Sequence, residues 1–439
     1  MEERGKGQRR SIFFAVAGIV LLLLAAVAYY VQGQERVLRI GVFAGNNWGV
    51  PQGNSYAVLD EAVEEFQKEH PGIRVEYVSG IKKEDYAEWL AEQVMGGREP
   101  DVFFILSDDF NLYASMGALM ELSSFMEEDR DFRTENYYKA ALDYGKYEDQ
   151  PYALPCAGVP TLMFVNKSLL AREGIPMPGD DWTWKDFLGI CRRVTRDTDG
   201  DGVLDQFGCY DYTWQQAAIT NGVTLFREDG RASYFADARM EEAVRFMMDL
   251  RSIQKGREIT SKDFDMGRVA FRPFSFAEYR TYKPYPWRIK KYMDFEWDCI
   301  KLPAGPSGRN TSELDTLLVG MSARTRMPKL SWDFMKKLCY DAGLQERILQ
   351  DSQGLPVRRD VVLSAKARDI FRWETEDADM DIDALSEAMD EAVMPPKFKG
   401  YRAAMLYADT ELTKIINGTI PFNNSLNKLQ KEINAMLQY

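Results

Sequence analysis

The sequence of 439 residues contains a single histidine, His70, and only five cysteines. One histidine argues against metal sites built from several imidazoles and against Ser-His-Asp or Cys-His catalysis. The chain also lacks a GxxxxGK[ST] motif, so it carries no ATPase of the P-loop type. The cysteines follow no disulfide or zinc spacing, and we interpret them as free or buried small hydrophobic residues: Cys156, Cys191, Cys209, Cys299 and Cys339.

Basic residues are in the minority, because 55 lysines and arginines face 68 acidic residues and give a formal net charge of -13. A protein that binds nucleic acid presents a basic face to the phosphates. The acidic body of this chain therefore argues against a nucleic-acid partner. The charge does suit a soluble body at a membrane surface.

The longest apolar run lies near the N-terminus. Residues 11–31 contain no charge and follow Arg9 and Arg10. A run of this length can cross a bilayer as a helix, and the basic flank predicts that the body lies outside the cytoplasm. Two interpretations stay open: an uncleaved anchor, or a signal peptide cleaved near Ala26 and Ala28. No cysteine lies near the end of the run, which excludes lipid attachment there.

Strand and helix patterns alternate after residue 36. Helical spacing of Leu59, Ala62 and Phe66 predicts the first helix, and Thr183 is typical of a helix N-cap further along the chain. Alternation of this kind predicts an α/β fold with a parallel sheet. The strand patterns cover residues 37–43, 73–77 and 102–106.

Two loops follow the ends of predicted strands. Ligands bind at the carboxyl ends of the strands in such sheets. Residues 45–49 follow the first strand and contain Asn47 and Trp48, whereas residues 107–110 follow the third and contain Asp108 and Asp109. No glycine-rich phosphate fingerprint follows the first strand, so we predict no dinucleotide site.

Seven ordered segments carry a resemblance to a known family: EFQKEHPGIRVEY (65–77), PDVFFILSDDF (100–110), YALPCAGVPTLMFVNKSLL (152–170), DWTWKDFLGICRRVT (181–195), GRVAF (267–271), KLPAGPSG (301–308) and GLPVRRDV (354–361). Together they resemble the extracellular solute-binding proteins of carbohydrate ABC importers, the maltose-binding-protein-like family. Each motif alone is weak, but their order is specific and covers the chain beyond residue 36. Val165 stands where the family usually has tyrosine.

The resemblance implies a type II periplasmic-binding-protein-like fold of two α/β lobes, each a mainly parallel sheet flanked by helices. The uncharged run at residues 11–31 adds one N-terminal transmembrane helix before them. The matching segments divide the chain into 1–35 (membrane anchor or signal segment), 36–157 plus 320–357 (lobe 1) and 158–319 plus 358–439 (lobe 2). They also predict where the chain crosses between lobes: near 157–161, 319–320 and 357–360.

Carboxylates and amides can bind sugar hydroxyls, and aromatic rings can cover the apolar faces of a sugar. The strand-end loops and the matching segments give ten candidate ligand contacts: Asn47, Trp48, Asp108, Asp109, Tyr212, Trp214, Phe274, Tyr279, Asp315 and Tyr401. Other roles stay open for most of them. The two aspartates in the loop after the third strand suit a helix N-terminus, and aromatic residues most often pack in cores.

A separate acidic loop has the oxygen spacing of the first part of a calcium-binding loop: Asp197, Asp199, Asp201, the Val203 carbonyl and Asp205. Gly208 stands where an EF-hand has its bidentate glutamate. The loop therefore predicts a weak structural calcium site, with an acidic surface turn as the alternative. We expect no required cofactor.

These observations predict a monomeric, membrane-tethered, extracytoplasmic protein of a bacterial cell. We expect it to close around a mono- or oligosaccharide and deliver it to ABC permease subunits. Two other classes stay open. One is a tethered sensor or adhesion ectodomain, which an uncleaved anchor without a lipid-attachment cysteine would suit. The other is a glycoside hydrolase, since 68 acidic residues make a chance catalytic pair easy.

Overall fold

The computed structural model describes residues 36–45, 47–48, 50, 56–282, 295–374, 382–396 and 398–438. The apolar run at residues 11–31, in which the sequence predicts an anchor or signal segment, lies outside these ranges. Among the residues that are described, no helix combines the length and apolar character needed to cross a membrane.

The described strands are β1 (Arg36–Gly41), β2 (Ile73–Tyr77), β3 (Val102–Ile105), β4 (Lys146–Tyr147), β5 (Gln150–Pro151), β6 (Ala153–Asn166), β7 (Phe207–Cys209), β8 (Val269–Ser275), β9 (Trp297–Ile300), β10 (Leu314–Met321) and β11 (Leu355–Pro356). The three strands predicted in the first part of the chain are confirmed as β1, β2 and β3. Their parallel pairing is confirmed as well, in the order β2-β1-β3.

The helices of the first half are α1 (Ala57–Glu69), α2 (Lys83–Met95), α3 (Phe110–Ser115), α4 (Ser123–Glu128), α5 (Lys139–Tyr144), α6 (Lys167–Arg172), α7 (Trp184–Val194), α8 (Trp214–Thr220) and α9 (Ala238–Ile253). Those of the second half are α10 (Ser261–Asp265), α11 (Phe276–Tyr282), α12 (Pro328–Tyr340), α13 (Ala342–Asp351), α14 (Arg359–Val362), α15 (Ala365–Glu374), α16 (Ile382–Asp390), α17 (Tyr401–Ile416) and α18 (Ser425–Met436). A short 3-10 helix covers Thr134–Asn136.

Local sequence explains where several of these elements begin and end. Leu59, Ala62 and Phe66 are buried on one face of α1, as their spacing predicts. Gly72 then adopts a left-handed φ of 88°, a conformation open to glycine, and turns the chain into β2. The predicted cap of α7 is also confirmed, because Thr183 accepts a hydrogen bond from the backbone N–H of Asp186 in a capping box.

The longest strand, β6, connects two parts of one sheet. Residues up to Pro160 pair with β10, and residues from Thr161 onwards pair with β8. The full order is β2-β1-β3-β10-β6-β8-β7, with β9 and β11 also paired to β6. The predicted crossing near residues 157–161 coincides with this change of partner.

The sheet is mixed rather than mainly parallel, which corrects the prediction. Parallel pairs occur in β2-β1-β3 and in β7-β8, whereas β6 is antiparallel to β8, β9, β10 and β11. The reason lies in the path of the chain. Because β6 leads from the first part of the sheet to the second, a strand that returns, such as β10, must run in the opposite direction.

Two hydrophobic cores flank the halves of β6. The first core contains residues of β1, α1, α12 and α13, and the second contains residues of α7, α8, α9 and α17. We call the corresponding parts lobe 1 and lobe 2. Their separation by a shared strand gives the two-lobed α/β architecture that the sequence predicts.

The packing places some segments differently from the predicted boundaries. Helices α14, α15 and α16 bury Val362, Phe371 and Leu385 in the first core, although the prediction assigns 358–439 to lobe 2. Val319 and Gly320 pair inside the lobe 1 sheet with β3 and β6. We propose that the second and third crossings lie near residues 301–313 and 391–398, where Val393 donates to the Ser312 carbonyl.

Candidate functional site

The carboxyl ends of β1, β2 and β3 bring several polar residues together on lobe 1. The backbone N–H of Ala44, after β1, donates to the Ile81 carbonyl, after β2. This contact places Lys83, at the start of α2, beside the first loop, and its ammonium group donates to the Asn47 carbonyl. We call the polar edge of lobe 1 the first-lobe wall: Asn47, Trp48, Lys83, Ser107, Asp108, Asp109 and Asp315.

Asp315 of β10 lies at the inner end of this wall. The Ser107 hydroxyl donates to its carboxylate at 3.0 Å. Burial raises the pKa of Asp315, although the hydrogen bond from Ser107 and the positive charge of Lys83 act in the opposite direction. The carboxyl group thus combines a fixed orientation with partial desolvation, as a recognition group in a cleft requires.

Trp48 is the aromatic residue of the first-lobe wall. Its ring packs so closely on Gly354 that a Cβ atom there would lie 2.4 Å from the Trp48 ring. Arg280 holds the loop that contains Gly354, because its guanidinium donates to the Ser352 carbonyl at 2.6 Å. A cavity of about 80 Å³ lies next to Trp48 and is lined mainly by apolar residues, among them Leu59 and Ile348. Packing therefore fixes the Trp48 ring on one side, and the ring remains partly accessible on the other side.

The N-terminus of α17 faces this wall from lobe 2. Tyr401 packs edge-to-face on Phe226 and Phe398, with ring centroids 5.7 Å and 5.5 Å away. Burial raises the pKa of Tyr401, and the charges of Glu313 and Asp108 raise it further. The next residue, Arg402, lies 3.5 Å from Asp109 and 3.7 Å from Asp108. We call the space between the first-lobe wall and this end of α17 the cleft.

Four predicted aromatic contacts lie in cores instead. Tyr212 and Trp214 are buried in the second core, where the Trp214 indole N–H donates to Asp409 at 2.8 Å. Phe274 packs edge-to-face on Phe164, 5.2 Å away. Tyr279 is buried in the first core. All four are less than a tenth exposed, which leaves little ring surface for a ligand in this conformation.

The structure thus brings six of the ten predicted residues together: Asn47, Trp48, Asp108, Asp109, Asp315 and Tyr401. The list of ten did not include Lys83, Ser107 and Arg402. Lys83 follows β2 and Ser107 follows β3, so the rule that found their neighbours at strand ends could have found them.

The acidic loop between α7 and β7 has a compact, ordered form. Carboxylate oxygens of Asp197, Asp199 and Asp201 lie within 4.8 Å of one another. Asp197 accepts hydrogen bonds from the backbone N–H groups of Gly200 and Gly202, each at 2.7 Å. Asp205 instead accepts from Thr198. Three of the four predicted acidic ligands therefore converge, and the fourth has another partner.

Comparison with known sequences identifies similar proteins over much of the chain. A family model for the bacterial extracellular solute-binding proteins matches residues 51–336. An uncharacterised lipoprotein of Streptomyces antibioticus is 24% identical over 284 residues, which is 58% of this chain and 58% of the relative's length. A Brucella abortus protein described as a binding protein is 20% identical over 313 residues, or 69% of this chain and 73% of that one.

Solved structures share the fold at low sequence identity. A cyclic α-maltosyl-1,6-maltose binding protein of Arthrobacter globiformis has a TM-score of 0.76 at 15% identity, over 92% of this chain and 99% of that chain. An ABC substrate-binding protein of Listeria monocytogenes, in complex with cycloalternan, has a TM-score of 0.71 at 21% identity, over 92% and 100%. At such identities the similarity concerns the two-lobed architecture.

Proposed function

Because this chain belongs to the bacterial extracellular solute-binding proteins, we propose that it captures a carbohydrate in the cleft and delivers it to the permease of an ABC importer. Structural relatives from Listeria and Arthrobacter bind cycloalternan and cyclic α-maltosyl-1,6-maltose, and they support a carbohydrate as the ligand class. A solute-binding protein holds its ligand without transforming it, so we assign no catalytic residue and no required cofactor.

The first-lobe wall carries this proposal. The wall contains the partly accessible ring of Trp48 and the carboxyl groups of Asp108, Asp109 and Asp315, none of which is fully buried. A sugar presents both hydroxyl groups, which carboxylates accept as hydrogen-bond donors, and apolar C–H faces, which an indole ring covers. We therefore assign ligand contact to the four residues above, together with Asn47 and Tyr401. The buried aromatic residues of the second core serve as support.

The proposed delivery depends on closure of the two lobes, which share the strand β6. A ligand that contacts both the first-lobe wall and Tyr401 is bound fully only when the two lobes are close together. Binding then shifts the population toward the closed form. We propose that a monomer of this closed form docks on separate permease subunits.

We also propose that the body lies outside the cytoplasm, held at the membrane by residues 1–35. The support is in the sequence, where Arg9 and Arg10 precede the uncharged run at residues 11–31. Added protease should degrade the body while the cytoplasmic membrane is still sealed, once any outer membrane has been made permeable. Alkaline carbonate should leave the chain in the membrane fraction if the anchor is uncleaved.

Isothermal titration calorimetry tests the ligand class. The purified chain, kept in a detergent without a sugar headgroup, is titrated with cyclic and linear oligosaccharides, monosaccharides, polyols and amino acids. Saturable binding of one carbohydrate class would support the proposal. Binding restricted to amino acids, or no binding of any solute, would contradict it and favour a ligand-independent ectodomain.

We also propose that the acidic loop between α7 and β7 binds a structural calcium ion. Asp197, Asp199 and Asp201 offer converging carboxylate oxygens, and hard cations prefer such ligands. Calcium should raise the melting temperature relative to EDTA, because an ion that binds only the folded state stabilises it. The variant Asp199→Asn should lose this shift, whereas the variant Asp229→Asn, at a distant acidic turn, should keep it. An equal shift in both variants would contradict the site.

A further inference from the structure

The two lobes meet in an ion pair at the cleft. Asp108 and Asp109 follow β3, and the next residue, Phe110, is buried in a lobe 1 cluster. Arg402 is the second residue of α17, whose Ala404 and Ala408 are buried in the second core. The ion pair therefore joins elements that move with different lobes.

The geometry lets one guanidinium contact two carboxylates. The Nη1 atom of Arg402 lies 3.5 Å from Oδ1 of Asp109, and its Nε atom lies 3.7 Å from Oδ2 of Asp108. The Asp109 side chain is 15% exposed, whereas that of Arg402 is 66% exposed. Within the described ranges, Arg402 is the cation in contact with this pair of carboxylates, so lobe 2 supplies the charge that lobe 1 lacks at this point.

We propose that Arg402 sets the balance between the open and closed forms before any ligand is present. Separation of the lobes would part Arg402 from both aspartates, because the aspartates follow β3 of lobe 1 whereas Arg402 belongs to α17, which packs in lobe 2. The ion pair therefore stabilises only the closed form. The proposal goes beyond ligand capture, and it holds whatever the ligand is.

A contrast within the chain supports this role. Lys301 contacts Glu391 at 2.9 Å, but both residues lie at the ends of the crossing segments near residues 301–313 and 391–398. Such a pair spans a short distance beside the hinge and changes little when the lobes separate. The pair at Arg402 instead joins the two faces of the cleft, so a hinge motion that opens the cleft separates its members.

Pulsed electron–electron double resonance between spin labels measures the proportions of open and closed forms in the absence of a ligand. Labels at Met95→Cys on α2 and Met436→Cys on α18 report on lobe 1 and lobe 2, since both positions are exposed. The chain without these two substitutions gives the labelling background of the native cysteines. The Arg402→Met variant keeps an unbranched side chain and removes the charge. The Arg227→Met control removes an exposed ion pair with Asp229 that lies within lobe 2.

We expect Arg402→Met to lower the ratio of closed to open forms about two- to fivefold, the range for an exposed ion pair. One molar salt should bring the unsubstituted chain to the same distribution, because salt screens exposed charges. The Arg227→Met control should leave the distribution unchanged. An unchanged distribution in Arg402→Met, or the same change in both variants, would overturn the proposal.

Once a ligand is known, its affinity gives a second, quantitative test. Affinity falls in proportion to the fraction of the binding-competent form. The affinity of Arg402→Met should therefore fall by the same factor as its closed fraction. A much larger fall would show that Arg402 binds the ligand directly, and it would overturn a role through closure alone.

Discussion

The two sides of the cleft use polar and aromatic residues in opposite ways. The first-lobe wall consists of polar side chains and one tryptophan at strand ends, where Ser107 and Asp315 are held by hydrogen bonds and remain only partly buried. In lobe 2, Tyr212 before α8 and Trp214 at the start of α8 are buried in the second core, and the start of α17 reaches the cleft. We therefore propose that ligand recognition is concentrated on lobe 1 and that lobe 2 closes over the bound ligand.

This difference reflects the environments in which each type of residue is stable. A carboxylate in a loop after a strand has no favourable place in an apolar core, since burial of an unpaired charge is costly. An aromatic residue can stabilise either a core or a sugar face, and the same sequence pattern fits both. The sequence pattern alone therefore separates cleft from core better for polar residues than for aromatic ones.

The largest expected effect is the loss of stability upon replacement of Trp214, which lies in the core of lobe 2 rather than in the cleft. Replacement by alanine should reduce the free energy of unfolding by about 3 to 5 kcal/mol, because it leaves a cavity in the core and removes the hydrogen bond to Asp409. Chemical denaturation measures this loss. Ligand affinity of the remaining folded protein should stay unchanged.

The variant Trp214→Phe provides the matched control, since it keeps a six-membered aromatic ring and removes the pyrrole ring with its N–H group. It should cost much less stability than alanine. If Trp214→Ala instead weakened binding while the protein stayed stable, Trp214 would belong to the cleft, and the contrast between the two lobes would be wrong.

Trp48 should show the opposite behaviour. Its replacement by alanine should weaken carbohydrate binding roughly 10- to 100-fold, the range for a central aromatic contact, because the ring covers an apolar face of the ligand. Calorimetric titration measures the change, and thermal denaturation should show a smaller loss of stability than in Trp214→Ala. Equal affinities of Trp48→Ala and the unsubstituted chain would remove Trp48 from the site.

The sequence predicts lobe 1 better than lobe 2 for the same reason. The strands β1, β2 and β3 have contiguous patterns, and their carboxyl ends locate Asn47, Trp48 and the two aspartates. The antiparallel return of β10 and the position of α14 to α16 in the first core depend on contacts between distant parts of the chain. Local periodicity contains no information about such contacts, and it could not identify Arg402 as the partner of Asp109.

A smaller effect on stability and binding is expected from a substitution at Gly354, which contacts the Trp48 ring. A Cβ atom at this position would lie 2.4 Å from the Trp48 ring, so Gly354→Ala must displace the ring or the loop. We expect a loss of about 1 to 3 kcal/mol in stability, together with weaker binding. Denaturation and titration of the same preparation measure both effects.

The matched control is Gly189→Ala in the exposed middle of α7, where no atom lies within 4 Å of the added Cβ. It should raise stability by about 0.5 to 1 kcal/mol, because alanine is the better helix former. A gain in both variants would mean that Trp48 adapts freely, and the packing of its ring on Gly354 would not fix its position.

The smallest expected effect is the pH dependence of the Asp315 contribution. Burial raises the pKa of Asp315 in the folded state above its ordinary value. The folded form therefore binds the proton more readily than the unfolded form as the pH falls through this raised pKa. The stability of the unsubstituted chain relative to Asp315→Asn should increase as the pH is lowered from 7 toward 4.

Asp129 provides a control with the opposite sign. Burial acts to raise its pKa, but hydrogen bonds from Lys336 and Trp332 outweigh burial and lower it. The contribution of Asp129 to stability is present above the ordinary aspartate pKa and is lost as the pH falls, so the unsubstituted chain should lose its advantage over Asp129→Asn. If both differences changed in the same direction, Asp315 would not be a desolvated carboxyl group. The first-lobe wall would then be a solvated surface rather than a recognition site.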